Sequence, residues 1–139
     1  VTGKNSMDRY FLDTSFLIAF FDSGDEHHEK ARELMKEIKS EELVISDQIF
    51  SETVNTAFSR VGYKTARDCS KYLRKSQIKI IYLNEPGFLK ACKIFQENKI
   101  SFTDCSIVST MQILGIEKLA TFDKDFKNYE EIERVPENE

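Results

Sequence analysis

The alternation of short apolar runs with longer segments of helical period is the feature that most restricts how this chain can fold. The short runs predict five β-strands, at residues 9–12, 43–45, 78–82, 118–121 and 132–135. The segments between them predict six helices, near residues 15–21, 26–40, 47–61, 64–76, 86–98 and 103–115. Strands separated by helices of this length pair in parallel through right-handed crossovers, which predicts a three-layer α/β/α sandwich. Ligands of such sheets bind beyond the carboxyl ends of the strands.

Length and composition indicate one globular domain. The 139 residues are 40% hydrophobic and 32% charged, and a chain of this size buries a sizeable core without disulfides or a metal. Residues 1–6 resemble vector-derived sequence, so we expect a single domain over residues 7–139. No apolar run approaches the roughly 20 residues that cross a bilayer. Three widely separated cysteines and the lack of a signal peptide lead us to expect a cytoplasmic protein without membrane contact.

The charge balance restricts the partners of the chain. Lys and Arg number 20 and Asp and Glu number 24, which gives a net charge of −4. A general binder of the phosphate backbone is normally basic, so the sum argues against that class. The net charge remains compatible with a protein that has a local acidic pocket beside a local basic strip.

Two aspartates lie just after predicted strands. Asp13 comes after the first strand and Asp123 comes after the fourth, with Asp125 close behind. Asp13 could simply be a helix N-cap with no other role, although Thr14 and Ser15 could cap equally well. Asp123 and Asp125 could be turn residues. The functional alternative is that these carboxylates meet at one edge of the parallel sheet, where ligands bind.

Two further carboxylates lie on predicted helices. Asp104 falls at the centre of the core-facing stripe of helix 103–115, where a carboxylate is costly unless something satisfies it. It could also be a capping residue beside Thr103. Glu52 lies on helix 47–61, on the side away from the apolar residues, where a solvated glutamate is the default. Its neighbours on that side carry no charge, which suggests a partly enclosed cleft. The predicted apolar side of this helix consists of Phe50, Thr53, Val54, Ala57, Phe58 and Val61.

The conjunction of these four carboxylates predicts a cation site. Carboxylates packed together raise one another's pKa, so such a cluster is unfavourable without a counter-cation. Oxygen ligands without His or Cys select Mg²⁺ or Mn²⁺ over zinc. Ions of this kind bind a phosphodiester and stabilise the leaving oxygen. Metal-dependent phosphodiester hydrolysis is therefore the reaction class that the pattern favours.

The sequence resembles the PIN domain and, within it, the small ribonucleases typified by the VapC toxins. The resemblance spans residues 10–135. It rests on four segments in order, at residues 11–17 (FLDTSFL), 46–53 (SDQIFSET), 101–105 (SFTDC) and 121–126 (TFDKDF). Each segment alone is a weak signal, but four at these intervals are fairly specific.

The resemblance implies a five-stranded parallel fold and an acidic quartet at Asp13, Glu52, Asp104 and Asp123, with Asp125 as an alternative for the fourth position. It also implies Mg²⁺ or Mn²⁺ as cofactor, an RNA substrate, and products with 5′-phosphate and 3′-hydroxyl ends. VapC-like proteins usually form homodimers and are inhibited by a cognate antitoxin that covers or occupies the cleft. The candidates for supporting roles at the site are Thr14, Asn55, Thr121 and Asp125.

A row of cations on helix 64–76 is the candidate substrate surface. The row consists of Lys64, Arg67, Lys71 and Arg74. These residues recur within an arc of about 80°, and Arg60 and Lys75 flank them. The row could be an ordinary solvated face, with Ala66, Cys69 and Leu73 buried behind it. Alternatively, it could lead RNA to the acidic pocket in spite of the net negative charge.

Two other function classes compete with a nuclease. An aspartyl-phosphate phosphatase of the HAD type also has an aspartate after its first strand, but it needs a second one two residues on, where this chain has Ser15. A PIN fold can also serve as an RNA-binding or assembly module without catalytic activity. Such modules usually lack acidic ligands, whereas this chain has all four.

Overall fold

The computed structural model describes residues 8–137 and confirms a five-stranded parallel sheet flanked by helices. The strands are β1 (Arg9–Leu12), β2 (Glu42–Ser46), β3 (Lys79–Ile81), β4 (Lys118–Ala120) and β5 (Glu133–Val135). The helices are α1 (Thr14–Phe21), α2 (His28–Ile38), α3 (Asp47–Arg60), α4 (Tyr63–Lys75), α5 (Glu85–Glu97) and α6 (Phe102–Leu114), and a 3₁₀ turn covers Lys124–Phe126. The segment of residues 1–6, expected to be vector-derived, lies outside the described residues.

The order of the strands is β3-β2-β1-β4-β5, and every neighbouring pair is parallel. The chain moves outward from β1 to β3 and then crosses back to β4, so the direction of winding reverses between β1 and β4. Right-handed crossovers place α1 to α4 on one face of the sheet and α5 and α6 on the other. In agreement, α1 packs against α2 and α3, α3 packs against α4, and α5 packs against α6.

Polar side chains fix where the helices that carry functional candidates begin. The Ser46 hydroxyl accepts a hydrogen bond from the Ile49 N–H at 3.2 Å and starts α3. The Ser101 hydroxyl accepts from the Asp104 N–H at 3.1 Å and starts α6. Such caps satisfy backbone donors that have no partner inside the helix. Asp104 is therefore held in the first turn of α6 but is not itself the cap.

The buried faces of the helices match the sequence pattern in two cases and depart from it in one. On α2 the apolar stripe of Ala31, Leu34, Met35 and Ile38 is buried, as is the predicted inner face of α4. On α3 the prediction was wrong for Phe58 and Val61, whose exposures are 58% and 49%. Burial on α3 instead follows the line Ile49, Thr53 and Ala57, in which each member comes four positions after the last. Phe58 lies beyond this line and packs edge-on against Tyr63, with ring centroids 6.3 Å apart. Among residues 8–137, no helix is both long enough and apolar enough to span a membrane.

Candidate metal centre

The carboxyl ends of β1 and β4 bring the first site residues together. Leu12 of β1 lies opposite Ala120 of β4, and the Asp13 N–H donates to the Ala120 carbonyl at 2.9 Å. Asp13 and the residues that follow β4 therefore share one edge of the sheet. This edge is the point at which the winding reverses, which is where parallel α/β sheets bind ligands.

Asp13 is buried and accepts three hydrogen bonds at this edge. Its Oδ1 accepts from the Thr14 N–H at 2.8 Å, and its Oδ2 accepts from the Thr121 hydroxyl at 2.6 Å and the Ser15 hydroxyl at 3.0 Å. The Thr121 hydroxyl oxygen also accepts from the Asp123 N–H at 2.9 Å. Asp13 does occupy the N-cap position of α1. However, only one of its oxygens is used there, and the other binds the segment after β4.

Asp104, Asp123 and Asp125 form the tightest group of carboxylates. One oxygen from each of the three lies within 4.8 Å of the others. Asp104 is buried, whereas Asp123 is half-buried and Asp125 is exposed. The sequence left Asp123 and Asp125 as competing candidates, but the structure places both beside Asp104. The Asp125 N–H donates to Asp123 Oδ1 at 2.8 Å, so the 3₁₀ turn holds the two in a fixed relation.

Glu52 completes this set from α3. Its Oε1 accepts a hydrogen bond from the Thr14 hydroxyl at 2.6 Å, which joins α3 to the start of α1. A cavity of about 390 Å³ lies between these elements. We call it the acidic cavity, and its charged lining residues are Asp13, Glu52, Arg60, Asp104, Asp123 and Asp125. All four members of the predicted quartet therefore line one cavity.

Burial and mutual repulsion act on the carboxylates of this cavity. Burial is the main cause that raises the pKa of Asp104 to about 7, and the nearby charges of Asp13, Asp123 and Asp125 contribute to the same rise. Burial also raises the pKa of Asp13 to about 6, although the hydrogen bonds from Thr121, Ser15 and Thr14 oppose that rise. Ionised side chains here need a positive partner. The candidate metal ligands are all carboxylate oxygens, which are the ligands that Mg²⁺ and Mn²⁺ prefer.

Asn55 does not join this group. It lines a neighbouring cavity of about 600 Å³, which shares only Glu52 and Thr56 with the acidic cavity. The reason is helical geometry. Around the helix axis Asn55 lies about 60° from Glu52 in one direction and Thr56 about 40° in the other. Asn55 therefore shares its cavity with Phe102 and Thr103 at the start of α6.

The predicted basic row also lies elsewhere. Lys64, Arg67, Lys71 and Arg74 are exposed on α4, and none of these four side chains lines the acidic cavity. Asp68 interrupts the row, since its carboxylate lies 3.3 Å from Lys64 Nζ and 3.9 Å from Arg67 Nε. The row therefore lies on α4 outside the acidic cavity.

Two residues of the site were missed by the sequence analysis. Arg60 lines the acidic cavity, and its Nη2 lies 3.3 Å from Asp22 Oδ2 and 3.2 Å from Asp25 Oδ2. The signal was present, because Arg60 follows Glu52 by eight residues on the same helix face. Ser15 was considered only as a cap, yet it donates to Asp13 and accepts from the Phe122 N–H at 3.0 Å.

The fold and this cavity define an α/β protein with an acidic site at the switch point of a parallel sheet. Comparison with known families then identifies it further. The profile described as the PIN domain matches residues 10–132, which is most of the chain. The chain belongs to the PIN domain family.

Several proteins are similar to this chain along nearly its whole length. Ribonuclease VapC6 of Methanocaldococcus jannaschii is 23% identical over 152 aligned positions, which cover 95% of this chain and 99% of the relative. The structure of VapC20 from Mycobacterium tuberculosis, a sarcin-ricin loop cleaving toxin, superposes with a TM-score of 0.80. It is 23% identical, with 85% of this chain and 92% of VapC20 covered. A toxin-antitoxin complex from Klebsiella pneumoniae gives a TM-score of 0.68 at 22% identity, with coverages of 89% and 95%.

The raised pKa values predict how the metal-free protein responds to pH. Between about pH 4 and pH 7 the folded chain holds protons on Asp13 and Asp104 that the unfolded chain has lost, so stability falls as the pH rises through this window. Asp104→Asn removes one of these groups and relieves the repulsion on Asp13, Asp123 and Asp125. In EDTA, we compare the melting temperature of Asp104→Asn minus that of the wild type at two pH values. This difference should be several degrees larger at pH 8 than at pH 4.5.

Thermal melts at both pH values, monitored by circular dichroism, measure this difference. Asp68→Asn is the matched control, because Asp68 is exposed and pairs only with cations on α4 in the contacts given above. A melting-temperature difference between Asp104→Asn and wild type that is the same at both pH values would contradict the prediction.

Proposed function

We propose that this chain is a divalent-metal-dependent endoribonuclease that hydrolyses RNA phosphodiester bonds. We further propose that it acts in the cytoplasm as the toxin of a toxin-antitoxin pair and that residues 7–139 form its single nuclease domain. The observation that carries the proposal is the convergence of Asp13, Glu52, Asp104 and Asp123, with Asp125, on one cavity. The names of the relatives support it, since one is a ribonuclease and another cleaves the sarcin-ricin loop.

The acidic residues have distinct proposed roles. Asp104, Asp123 and Asp125 would hold Mg²⁺ or Mn²⁺, because their oxygens already form the tightest group. Asp13 would complete this set, with its carboxylate oriented by the hydrogen bonds that its Oδ2 accepts from the Thr121 and Ser15 hydroxyls. A divalent cation there would supply Lewis-acid stabilisation of the negative charge that develops on the phosphate.

Glu52 is our candidate for the base. Its side chain is exposed on the wall of the cavity and is oriented by the Thr14 hydroxyl, so it can accept a proton from a water that attacks phosphorus in line. Cys105 adjoins Asp104 in sequence but is fully buried, and burial raises the pKa of its thiol. A thiolate nucleophile is therefore disfavoured. We propose direct attack by water without a covalent enzyme intermediate.

Substitution of one carboxylate tests this proposal. Asp104→Asn should lower the rate of Mn²⁺-dependent cleavage of a mixed single-stranded RNA pool by at least about 100-fold, because it removes a charge from the cation site. Wild-type products should carry 5′-phosphate and 3′-hydroxyl ends. The measurement is gel analysis of the fragments with end mapping, with EDTA and Mg²⁺ as the other conditions.

Glu33→Gln serves as the control and should cleave at the wild-type rate, because Glu33 is exposed on α2 and does not line the acidic cavity. Equal cleavage by Asp104→Asn and wild type would disprove the assignment of the site. If the wild type binds RNA but cuts none with either metal, the alternative of a non-catalytic RNA-binding or assembly module takes its place.

The cations have separate proposed roles in binding RNA. Arg60 lines the acidic cavity and is held by Asp22 and Asp25, so we propose that its guanidinium contacts a phosphate of the substrate. The row of Lys64, Arg67, Lys71 and Arg74 stays our candidate for contacts with more distant phosphates of the RNA. Lys64 pairs with Asp68, and Lys71 and Arg74 lie farther along α4.

Salt titration tests the role of Arg60. Arg60→Gln should reduce the slope of log Kd against log salt concentration by about one and weaken binding of all RNA sequences alike. Fluorescence anisotropy with labelled RNA in Ca²⁺ gives the slope. Lys90→Gln, which removes an exposed charge from α5, is the control and should leave the slope unchanged. An unchanged slope for Arg60→Gln would show that the residue only ties α3 to the segment before α2.

A homodimer is proposed from the apolar surface of α5 and α6. The exposed large hydrophobic residues of these helices and of the segment just after β3 are Tyr82, Phe88, Leu89, Phe95, Ile113 and Leu114. Apolar side chains gathered in this number on a soluble domain mark an interaction surface. We propose that a second copy of the chain covers them.

Light scattering after gel filtration tests the dimer. The wild type should elute with twice the mass of one chain, and Leu89→Asp should elute as a monomer because a buried carboxylate would be unpaired in the interface. Val61→Asp, at the exposed turn between α3 and α4, is the control and should remain dimeric. A monomeric wild type at all concentrations would contradict the proposal.

A cognate antitoxin is the second proposed partner. The solved structures that resemble this chain include a toxin-antitoxin complex from Klebsiella pneumoniae and a DNA-bound VapBC from Salmonella typhimurium, the latter with a TM-score of 0.71, 16% identity and coverages of 92% and 97%. The acidic cavity favours a cationic side chain from such a partner. We propose that the antitoxin inhibits by covering this cavity.

A further inference from the structure

The cavity of about 600 Å³ beside the acidic cavity has no role in the mechanism proposed above. We call it the amide cavity, and it is lined by Asp47, Gln48, Ser51, Glu52, Asn55, Thr56, Ser59, Phe102 and Thr103. It shares Glu52 and Thr56 with the acidic cavity, so a molecule that enters one lies directly against the other. Whatever binds in the amide cavity is therefore attached to, or adjacent to, the group that reacts.

One wall of the amide cavity presents uncharged hydrogen-bonding groups. Gln48, Ser51, Asn55 and Ser59 come from successive turns of α3, at spacings of three and four residues that keep them on one face. Two carboxamides, each with donors and an acceptor, can pair with the edge of a heterocyclic base. This is an unusual surface in a chain that is 32% charged.

An aromatic ring provides the other feature of the cavity. Phe102, the first residue of α6, lines it and is half-buried. Its ring centroid lies 5.8 Å from that of Phe88 and 6.0 Å from that of Phe95, so neighbouring rings of α5 support it. A ring fixed in this way is a platform on which a base can stack.

The charges around the cavity select against an anionic occupant. Asp47 and Glu52 are its two acidic residues, and each already accepts a hydrogen bond, from the Leu83 N–H at 3.2 Å and from the Thr14 hydroxyl at 2.6 Å. Their negative charges, with those of the adjoining acidic cavity, repel a phosphate. A neutral planar group that hydrogen-bonds at its edge fits the same surroundings.

We propose that the amide cavity binds the base of a nucleotide next to the scissile phosphate and so determines sequence preference. Phe102 stacks on this base, and Gln48 and Asn55 read its edge. The inference rests on the proposed nuclease function for the position of the phosphate. It adds a specificity site that is separate from the carboxylates.

Binding of RNA hexamers of a single base type tests this inference without cleavage. Hexamers of A, C, G and U, each fluorescently labelled, are titrated against the protein in Ca²⁺. The wild type should prefer one base by about tenfold, and Asn55→Ala or Gln48→Ala should reduce the preference to less than about twofold. Phe102→Ala should weaken all four hexamers by about tenfold, and Phe102→Tyr should restore binding because it keeps the ring.

Phe58→Ala is the matched control, since it removes an exposed aromatic ring from α3 itself but lies outside the amide cavity. It should leave both affinity and preference unchanged. Equal binding of the four hexamers by the wild type would overturn the inference. A base preference that survives in both single variants, Asn55→Ala and Gln48→Ala, would overturn it as well. Failure of the wild type to cut RNA in Mn²⁺ would instead count against the nuclease function, which the titration does not use.

Discussion

The pairing of β1 with β4 is the contact on which the whole site depends. It is the point where the sheet reverses its winding, and the Asp13 N–H extends the ladder by one bond to Ala120. The residue after each strand then faces its counterpart, so the Thr121 hydroxyl reaches Asp13 Oδ2 at 2.6 Å. From Thr121 the network continues to the backbone of Asp123, whose side chain begins the turn that carries Asp125. A single strand pairing thus sets the relative positions of carboxylates more than 100 residues apart in sequence.

The cost of this arrangement is electrostatic. Asp13 and Asp104 are buried beside other carboxylates, and their pKa values rise to about 6 and about 7. Each buried charge is unfavourable by itself, and the fold tolerates the group because caps, hydroxyls and backbone N–H donors hold its members in place. Ser101 fixes the first turn of α6, and Thr14 fixes Glu52. Because the fold holds the carboxylates together in spite of their repulsion, a cation that binds there removes this repulsion and binds more favourably.

Much of the fold and of the acidic site could be predicted from the sequence, because the signals for them are local or periodic. Apolar runs and helical spacing gave the elements, and an aspartate after a parallel strand can only lie at the carboxyl edge. What the sequence could not supply were distances across the fold. Asn55 and Glu52 share a polar face, yet the angle of about 60° between them around the helix axis keeps Asn55 out of the acidic cavity. Arg60 was read with the cations that follow it, although Asp22 and Asp25 hold it at the carboxylates. Phe58 was assigned to the apolar side because helical periodicity alone does not show that burial on α3 follows the line Ile49, Thr53 and Ala57.

The measurement that tests the central claim most directly is a crystal structure of the protein soaked in Mn²⁺, with anomalous diffraction data. The claim is that the carboxylates are arranged to hold a divalent cation and that Asp104, Asp123 and Asp125 are its nearest ligands. We expect an anomalous peak among these three side chains, lost when Asp104 is replaced by asparagine. Full-occupancy peaks only at other carboxylates, or none at concentrations that saturate other manganese proteins, would contradict the account.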